Sequence, residues 1–271
     1  MSKIPDAPTP LSDGEWAVTI WELSDEGVLA ITLNRPERLN ALSFRLLHEL
    51  QALIDFAAAR PDVRVVTLRG AGQLAFCSGD DLYGMEPSGI DSSITVHHPF
   101  LLSIRALKKP VVALINGWAL GHGWEIACAC DIRLCADNLE VGDHRVQRAI
   151  GMNGGTTWFA PRIMGRGRAL ELLITGRHMF AEEALQCGWA NQVWPLEDFD
   201  AEAARYISNL ASLPTLNASA FKEMVDYASE HSLRDTLARE VEVSDRYRQT
   251  EDANEGRLSW REKRAPIFRG Y

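Results

Sequence analysis

The sequence predicts an α/β fold followed by an all-helical region, and three observations lead to that prediction. Apolar runs with strand character, such as Val111–Ile115, alternate with helical patterns over roughly the first two thirds of the chain. From Leu196 onward the patterns are helical. The length of 271 residues allows one large domain, or one domain with a smaller appendage, and we expect the boundary near residues 195–200. This order of elements is typical of an α/β domain with a helical appendage.

The first half of the chain begins with a polar segment that precedes a predicted β-hairpin. Residues 1–14 are rich in Pro, Ser and Asp, and we expect them to be poorly ordered. Strand-like runs over residues 16–23 and Val28–Leu33 flank a short Ser-Asp-Glu-Gly turn, which is typical of a hairpin. The other elements predicted in this half are a helix capped by Ser43, a strand over 63–69, a glycine turn over 76–82 and a helix over 94–107.

The second half of the chain contains shorter elements and then the helical region. Residues 141–148 are unusually polar, so we predict a loop there. The predicted elements that follow are helices over 156–163, 168–175 and 181–187, a short strand over 190–193, and helices over 198–212, 215–230, 232–248 and 251–262. A proline at position 214 separates the first two helices of the last group.

Residues 111–137 carry the pattern most closely tied to chemistry. The strand Val111–Ile115 is followed by a turn with three glycines, then by a short apolar helix that opens at Trp124 and Glu125. Glycines let the main chain lie close to a bound group, and a helix start presents unpaired N–H groups. Such a frame suits an oxyanion or a phosphate. Glu125 is either a first-turn acid favoured by the helix dipole or a half-buried carboxylate that moves protons.

The composition argues against several classes of partner. A net charge of −9 and the lack of a basic block argue against nucleic acid and anionic membranes. No run approaches the roughly 20 apolar residues of a membrane span, and the N-terminus lacks the apolar core of a signal peptide. We therefore expect a cytoplasmic protein with reduced thiols and without a metal site, because the cysteines lack zinc-ligand spacing. The five cysteines are Cys77, Cys128, Cys130, Cys135 and Cys187.

Four segments together resemble signatures of the crotonase (enoyl-CoA hydratase/isomerase) superfamily. They occur in the family's order and at its natural spacing, over about residues 16–268. The segments are residues 31–42 with Asn-Arg-Pro, 76–82 with Cys-Ser-Gly-Asp-Asp, 116–133 with Gly-His-Gly-Trp-Glu, and the tail over 251–268. The resemblance implies a crotonase-like spiral of repeated ββα units over residues 15–197, which holds the acyl-CoA site. It also implies a helical trimerisation region over 198–271, hence a homotrimer or a hexamer built as a dimer of trimers.

The resemblance further implies an acyl-CoA thioester as substrate, so that coenzyme A enters with the substrate and no separate cofactor is needed. The thioester oxygen is expected between the backbone N–H groups of Ser78 and His122, and one such donor is typically worth about 3–4 kcal/mol of barrier. The residues expected to contact coenzyme A are Arg38, Ala41, Ser78, Asp80, Leu82, His122 and Lys263, the last reaching in from a neighbouring subunit.

The sequence departs from the hydratase pattern of two glutamates that flank a water. Glu125 matches the first glutamate, whereas a gapless alignment places Arg145 at the second position. A guanidinium does not release its proton at working pH, so Arg145 is neither base nor acid. Three alternatives remain for Arg145: a pair with Glu125, a bond to a carboxylate or enolate of the substrate, or an outward-pointing loop residue.

His122 stands where the family usually has glycine. Its imidazole either points into the pocket and replaces the missing acid, or turns away and is satisfied by the main chain. We predict the second arrangement, in which the amide of His122 matters more than its ring. Asp143 and His144 are further candidates, each expected to be structural, and no role is assigned to His97 and His98.

The function predicted from these residues is an enoyl-CoA hydratase/isomerase-type reaction through a thioester enolate, with Glu125 as acid and base. One alternative is a C–C hydrolase, decarboxylase or ring-forming synthase acting on a carboxylated or cyclic acyl-CoA. Another is a non-catalytic member that binds acyl-CoA or RNA. The aromatic residues Tyr83, Trp118, Trp124 and Trp158 favour a bulky acyl group, or else belong to the core.

Overall fold

A computed structural model describes Pro8, residues 16–81 and residues 97–270. The predictions for residues 1–7, 9–15 and 82–96, which include Leu82 and Tyr83, lie outside the described residues. The strands are β1 (Thr19–Leu23), β2 (Val28–Leu33), β3 (Val65–Gly70), β4 (Ala75–Cys77), β5 (Val111–Ile115), β6 (Trp118–Leu120), β7 (Ile132–Ala136), β8 (Glu140–Gly142), β9 (Met179–Phe180) and β10 (Gln192–Trp194).

The α-helices follow the predicted pattern closely, including the four-helix tail. They are α1 (Phe44–Ala59), α2 (His98–Ala106), α3 (His122–Ala129), α4 (Thr156–Met164), α5 (Arg166–Thr175), α6 (Ala181–Gln186), α7 (Leu196–Ser212), α8 (Thr215–Ala228), α9 (Leu233–Arg248) and α10 (Glu251–Glu262). Short 3-10 turns occupy Pro36–Arg38 and Val146–Arg148. As predicted, Ser43 caps α1, because its hydroxyl accepts from the Leu46 amide at 3.2 Å.

The strands form two sheets. The six-stranded sheet has the order β1-β2-β3-β5-β7-β10 and the four-stranded sheet the order β4-β6-β8-β9. The predicted hairpin of β1 and β2 is confirmed as an antiparallel pair. In the rest of the larger sheet, the strands β2, β3, β5, β7 and β10 run parallel to one another. The sequence did not indicate β4, β6, β8 or β9, because strands of two or three residues are too short to show a period of two.

The larger sheet is covered on both faces, which explains the continuous apolar run of β5. One face packs on the main core, which includes Phe76, Trp124 and Trp189. The other face packs on α7, whose buried residues Phe199, Ala203, Ile207 and Ala211 recur every four positions along one side of the helix. All five residues of β5 are buried as a result.

The smaller sheet brings two glycine turns together. Strands β4 and β6 lie parallel, so that the turn after Cys77 and the turn after Leu120 leave the sheet at the same edge. A Cβ added at Gly79 would lie 3.1 Å from the carbonyl oxygen of Leu120 and 3.7 Å from the amide nitrogen of His122. The two turns are therefore in contact. Gly121 precedes α3 with φ 52° and ψ −122°, a conformation that other residues rarely adopt.

None of the helices in the described part of the chain is both long and apolar enough to cross a membrane.

Candidate active site

Glu125 lies in the first turn of α3 and its side chain is fully buried. Its Oε1 accepts a hydrogen bond from Arg145 Nη2 at 2.5 Å and another from Thr156 Oγ1 at 2.7 Å. Its Oε2 lies 3.2 Å from His122 Nε2, but it has no hydrogen bond of good geometry among the described residues. One carboxylate oxygen is thus fixed by two donors, and the other keeps lone pairs that can accept a proton.

Arg145 faces inward, so the outward-pointing alternative is wrong. Its Nε donates to both carboxylate oxygens of Asp143, at 3.0 and 2.9 Å, and its Nη1 donates to Asn153 Oδ1 at 2.9 Å. Burial acts to lower the pKa of the guanidinium, but the bonds to Asp143 and the charge of Glu125 outweigh burial and raise it. Arg145 therefore remains a permanent cation that bridges two buried carboxylates.

Asp143 orients Arg145. Only 1% of Asp143 is exposed, and its carboxylate also accepts from the backbone amide of Arg145 at 3.0 Å. Burial acts to raise the pKa of Asp143, but the hydrogen bonds from Arg145 outweigh this effect and hold the pKa below its usual value. These bonds hold Arg145 in place, and the structural role of Asp143 stays a prediction. His144, the other candidate, points elsewhere and contacts His178 Nε2 at 2.8 Å through its Nδ1.

The ring of His122 lies inside the site, and the prediction that it turns away to the main chain is wrong. Its Nδ1 contacts Asp80 Oδ1, and its Nε2 lies 2.8 Å from Asn153 Oδ1. Only 3% of His122 is exposed. Burial acts to lower the pKa of the imidazole, but Asp80, Glu125 and Asn153 together raise it above its usual value. The physical reason for the error is that both ring partners come from segments distant in sequence.

His97 was given no role from the sequence, yet it stacks on His122. The ring centroids are 3.9 Å apart and the planes differ by 26°. His97 is 2% exposed, and neither of its ring nitrogens has a hydrogen-bond partner within the described residues. Burial is the main cause that lowers the pKa of His97, which falls to about 2. The positive charges of neighbouring groups, which include His122 and Arg145, act in the same direction. His97 is therefore a neutral ring beside the site.

The segment before α4 and the first residue of α4 supply two groups that the sequence did not indicate, Asn153 and Thr156. Between them, Gly154 lies against Glu125: a Cβ added there would lie 1.6 Å from Glu125 Oε2. Two adjacent glycines just before a helix mark close main-chain approach, and this was the available signal. The identity of the group approached could not be read from the sequence, because the contact spans about 30 positions.

The atoms of His97, His122 and Glu125 that could ligate a metal lie within 4.8 Å of one another. Both nitrogens of His122 are already engaged, with Asp80 and Asn153, and Glu125 is bonded to the cation Arg145. A metal ion needs unprotonated ligands, and a neighbouring guanidinium repels it. The chemistry of this donor set therefore fits proton transfer better than metal binding.

The amide of His122 is the first of α3, so it has no acceptor within the helix. The expected second donor, the Ser78 amide, instead donates to the carbonyl oxygen of Leu39 at 3.1 Å. Ser78 therefore does not present its N–H to a ligand, and that expectation is wrong. The amide of Asp80, two residues on, has no acceptor among the described residues. The carbonyl of Gly79 in the same peptide accepts from Leu42 at 2.7 Å.

The predicted coenzyme A contacts fall into two groups. Arg38 and Ala41 lie beside the Ser78–Asp80 turn, because Leu39 accepts from the Ser78 amide and Leu42 pairs with Asp80. Arg38 is exposed at the end of its 3-10 turn, and Ala41 is buried. Lys263 is exposed at the end of α10, and within the described residues no hydrogen bond or ion pair joins it to this site.

A cavity of about 580 Å³ is lined in part by Gly154. Its apolar lining includes Leu101, Leu102, Trp158 and Phe159. Trp158 is partly exposed there, and its contact with a bulky acyl group stays a prediction. Trp124, in contrast, is fully buried in the core.

The chain is similar to known proteins over nearly its whole length. The family profile described as Enoyl-CoA hydratase/isomerase matches residues 24–271. The (E)-benzylidenesuccinyl-CoA hydratase of Thauera aromatica is 34% identical over 90% of this chain and 96% of that protein. The 2,3-dehydroadipyl-CoA hydratase of Escherichia coli is 30% identical over 90% and 95%. The crystal structure of enoyl-CoA hydratase from Bacillus anthracis superposes with a TM-score of 0.90 at 32% identity, over 94% of this chain and 100% of that one.

Proposed function

The chain belongs to the enoyl-CoA hydratase/isomerase family, and from that premise we propose that Glu125 moves protons on an acyl-CoA thioester bound beside it. The predicted crotonase-type α/β fold and the predicted enzyme class are confirmed by that membership. The buried carboxylate of Glu125 is the observation that carries the proposal, because one of its oxygens is fixed and the other can accept a proton.

The thioester oxygen binds between two backbone amides in this proposal. The His122 amide at the start of α3 is one donor. The Asp80 amide is the other, since in a trans peptide the N–H points away from the C=O, and the Gly79 carbonyl points to Leu42. Charge that develops on the thioester oxygen is stabilised by such fixed donors, each worth about 3–4 kcal/mol. The helix dipole of α3 acts in the same direction.

The pairing of Arg145 favours hydratase or isomerase chemistry over the alternatives. Arg145 already bridges Glu125 and Asp143, so its charge is neutralised before any substrate arrives. A role for Arg145 as the binding site of a substrate carboxylate, the basis of the C–C hydrolase, decarboxylase and synthase alternatives, loses support. The acidic net charge argues against RNA binding, and the presence of Glu125 argues against a non-catalytic role.

The test is Glu125→Gln, assayed against a panel of CoA thioesters scored for hydration, isomerisation and cleavage. Turnover should fall about 10²- to 10⁴-fold, because the amide keeps the shape and removes the base. Glu49→Gln is a matched control, since Glu49 is also fully buried but accepts hydrogen bonds from Arg45 and Thr19, which contact none of the proposed catalytic groups within the described part of the chain. Normal turnover by Glu125→Gln would contradict the proposal, whereas Glu49→Gln should lose stability and keep turnover per folded molecule.

The assembly is also a proposal: a homotrimer or hexamer through residues 198–271, with Lys263 of one subunit near the coenzyme A of another. Large apolar side chains exposed on α8, α9 and α10 support it, and Phe221, Leu233 and Trp260 are 72%, 75% and 86% exposed. Sedimentation of the full chain as a monomer at micromolar concentration would contradict this assembly.

We further propose a cytoplasmic location and no cofactor beyond the coenzyme A of the substrate. The five cysteines are unpaired, and four of them are buried, which suits a reducing compartment. Burial raises the pKa of Cys77, Cys128, Cys130 and Cys135 to about 12, so these thiols are inert.

A further inference from the structure

We infer that His122 is held as an imidazolium and is the proton donor that works opposite Glu125. This inference rests on the proposed function and deepens it, because it assigns the second proton-transfer group of the site. The protonation state of the ring follows from the polarity of the hydrogen bonds around it. A neutral imidazole donates from one nitrogen and accepts at the other, whereas an imidazolium donates from both.

The polarity at Nε2 is fixed by Arg145. Arg145 Nη1 lies 2.9 Å from Asn153 Oδ1, and a guanidinium can only donate, so this atom of Asn153 is an oxygen and not the amide nitrogen. The same oxygen lies 2.8 Å from His122 Nε2. An oxygen that faces Nε2 accepts, and Nε2 therefore carries a proton.

The polarity at Nδ1 is fixed by Asp80. The ring nitrogen contacts Asp80 Oδ1, and an ionised carboxylate only accepts. Nδ1 therefore also carries a proton, and the ring of His122 is positively charged. The raised pKa of His122 agrees with this assignment, since Asp80, Glu125 and Asn153 outweigh the effect of burial.

The other groups around the ring are consistent with one positive charge there. His97 stacks on it face to face, and a neutral ring tolerates a stacked cation while a second cation would repel it. Among the described residues, the charged and titratable groups that face His122 are Asp80, His97, Glu125 and, behind Glu125, Arg145 and Asp143. Within that part of the chain two cations and three carboxylates meet here, so the imidazolium is matched by negative charge.

The proton balance of a hydration follows from this pair. Glu125 takes a proton from water, the water oxygen bonds to the β-carbon of the enoyl thioester, and the double-bond electrons move to the thioester oxygen as an enolate. The enolate re-forms the carbonyl as its α-carbon takes the proton of His122. Protonated Glu125 then returns its proton across the 3.2 Å that separates Oε2 from Nε2. The product is the hydroxyacyl thioester, and both groups regain their starting charge. Arg145 takes no part in the transfer, because it keeps its proton.

Two measurements test the inference, and the first needs no substrate. In protein labelled with ¹⁵N at histidine, the ring nitrogens of His122, assigned by their loss in His122→Gln, should both be protonated at neutral pH. A neutral tautomer of His122 in the wild type would overturn the inference.

The second measurement is the pH dependence of turnover. The wild type should lose activity on the alkaline side as His122 loses its proton. Asp80→Asn should move this loss toward lower pH, since it removes a negative charge while keeping the Asp80 backbone amide. His122→Gln should be about 10²- to 10⁴-fold slower and lack this alkaline loss. His48→Gln, at an exposed position of α1, is the matched control and should behave as the wild type.

The outcomes separate the inference from the function on which it rests. If the wild type turns over no CoA thioester, the proposed function fails, while the nitrogen spectra still decide the charge of His122. If the wild type turns over a thioester and His122→Gln keeps both the rate and the alkaline loss, the proposed function stands and the inference is overturned.

Discussion

Two pairs, each a cation with its carboxylate, flank Glu125, and they differ in whether the cation can release a proton. Arg145 with Asp143 contacts Oε1, and His122 with Asp80 faces Oε2. The side chain of Asp143 is 1% exposed and that of Asp80 is 27% exposed. The permanent cation is therefore matched with the deeply buried acid, and the titratable cation with the acid nearer to solvent. One pair holds the carboxylate of Glu125 in place, and the other lies where the proposed proton exchange would take place.

The two pairs also stabilise the fold at opposite ends of the pH scale. The pKa of Asp143 is lowered by Arg145, so its contribution is present above the unfolded pKa and is lost as pH falls. The pKa of His122 is raised, so its contribution is present below the unfolded pKa and is lost as pH rises through the folded pKa.

The largest effect is expected when the permanent cation is removed. Arg145→Ala leaves Glu125 and Asp143 buried without their common partner, and breaking such a pair typically costs about 3–5 kcal/mol. Urea denaturation measures this loss, and Arg145→Lys, which keeps a point charge, should lose less. An unchanged unfolding midpoint would show that the bridge does not stabilise the protein.

A smaller effect is expected from the neutral donor on the same oxygen. Thr156→Val keeps the shape and removes the hydrogen bond to Glu125, and bonds to charged groups are worth about 1.5–3 kcal/mol. Thr156→Ser keeps the hydroxyl and serves as the control. Equal stability of the Val and Ser variants in urea would mean that Arg145 alone fixes Oε1.

Crowding at Glu125 Oε2 should cost somewhat less stability but disturb proton transfer directly. Gly154→Ala places a methyl group where that oxygen now lies, and overpacking typically costs about 1–3 kcal/mol. Displacement of the carboxylate by about 1 Å should lower turnover about 10²-fold. Gly151→Ala is the control, because a Cβ there meets nothing within 4 Å. Equal rates for the two variants would show that the carboxylate has room to move.

The smallest effect is expected at alkaline pH, where the pair of His122 and Asp80 loses its contribution to the free energy of unfolding. Each unit by which the folded pKa of His122 exceeds the unfolded value corresponds to about 1.4 kcal/mol, lost as pH rises through the folded pKa. Denaturation of the wild type and of His122→Gln across this range measures it. The two curves should converge at alkaline pH, and parallel curves would place the titration on another group.

The sequence predicted the long elements because their periods are intrinsic to the chain. The helical tail and the hairpin needed only local patterns, whereas β6, β8 and β9 depend on neighbours in the smaller sheet. Within the site, Glu125 and Arg145 were found by their positions in motifs. The contacts of His122 with Asp80 and Asn153 join three separate segments, and the Ser78 amide is engaged by a carbonyl 39 positions earlier, at Leu39. Contacts between distant segments produce no periodic pattern of residues, so a single sequence does not reveal them.

The approach of Gly154 to Glu125 also ties the evolution of these two positions together. A larger residue at 154 collides with Oε2 only while position 125 carries a side chain as long as glutamate. The same substitution is therefore harmful in one genetic background and harmless in another, where residue 125 has become small. In descendants of this sequence the order of mutation is constrained: Glu125 has to shorten before Gly154 can change. A residue larger than glycine at position 154 then marks lineages in which the glutamate has been lost.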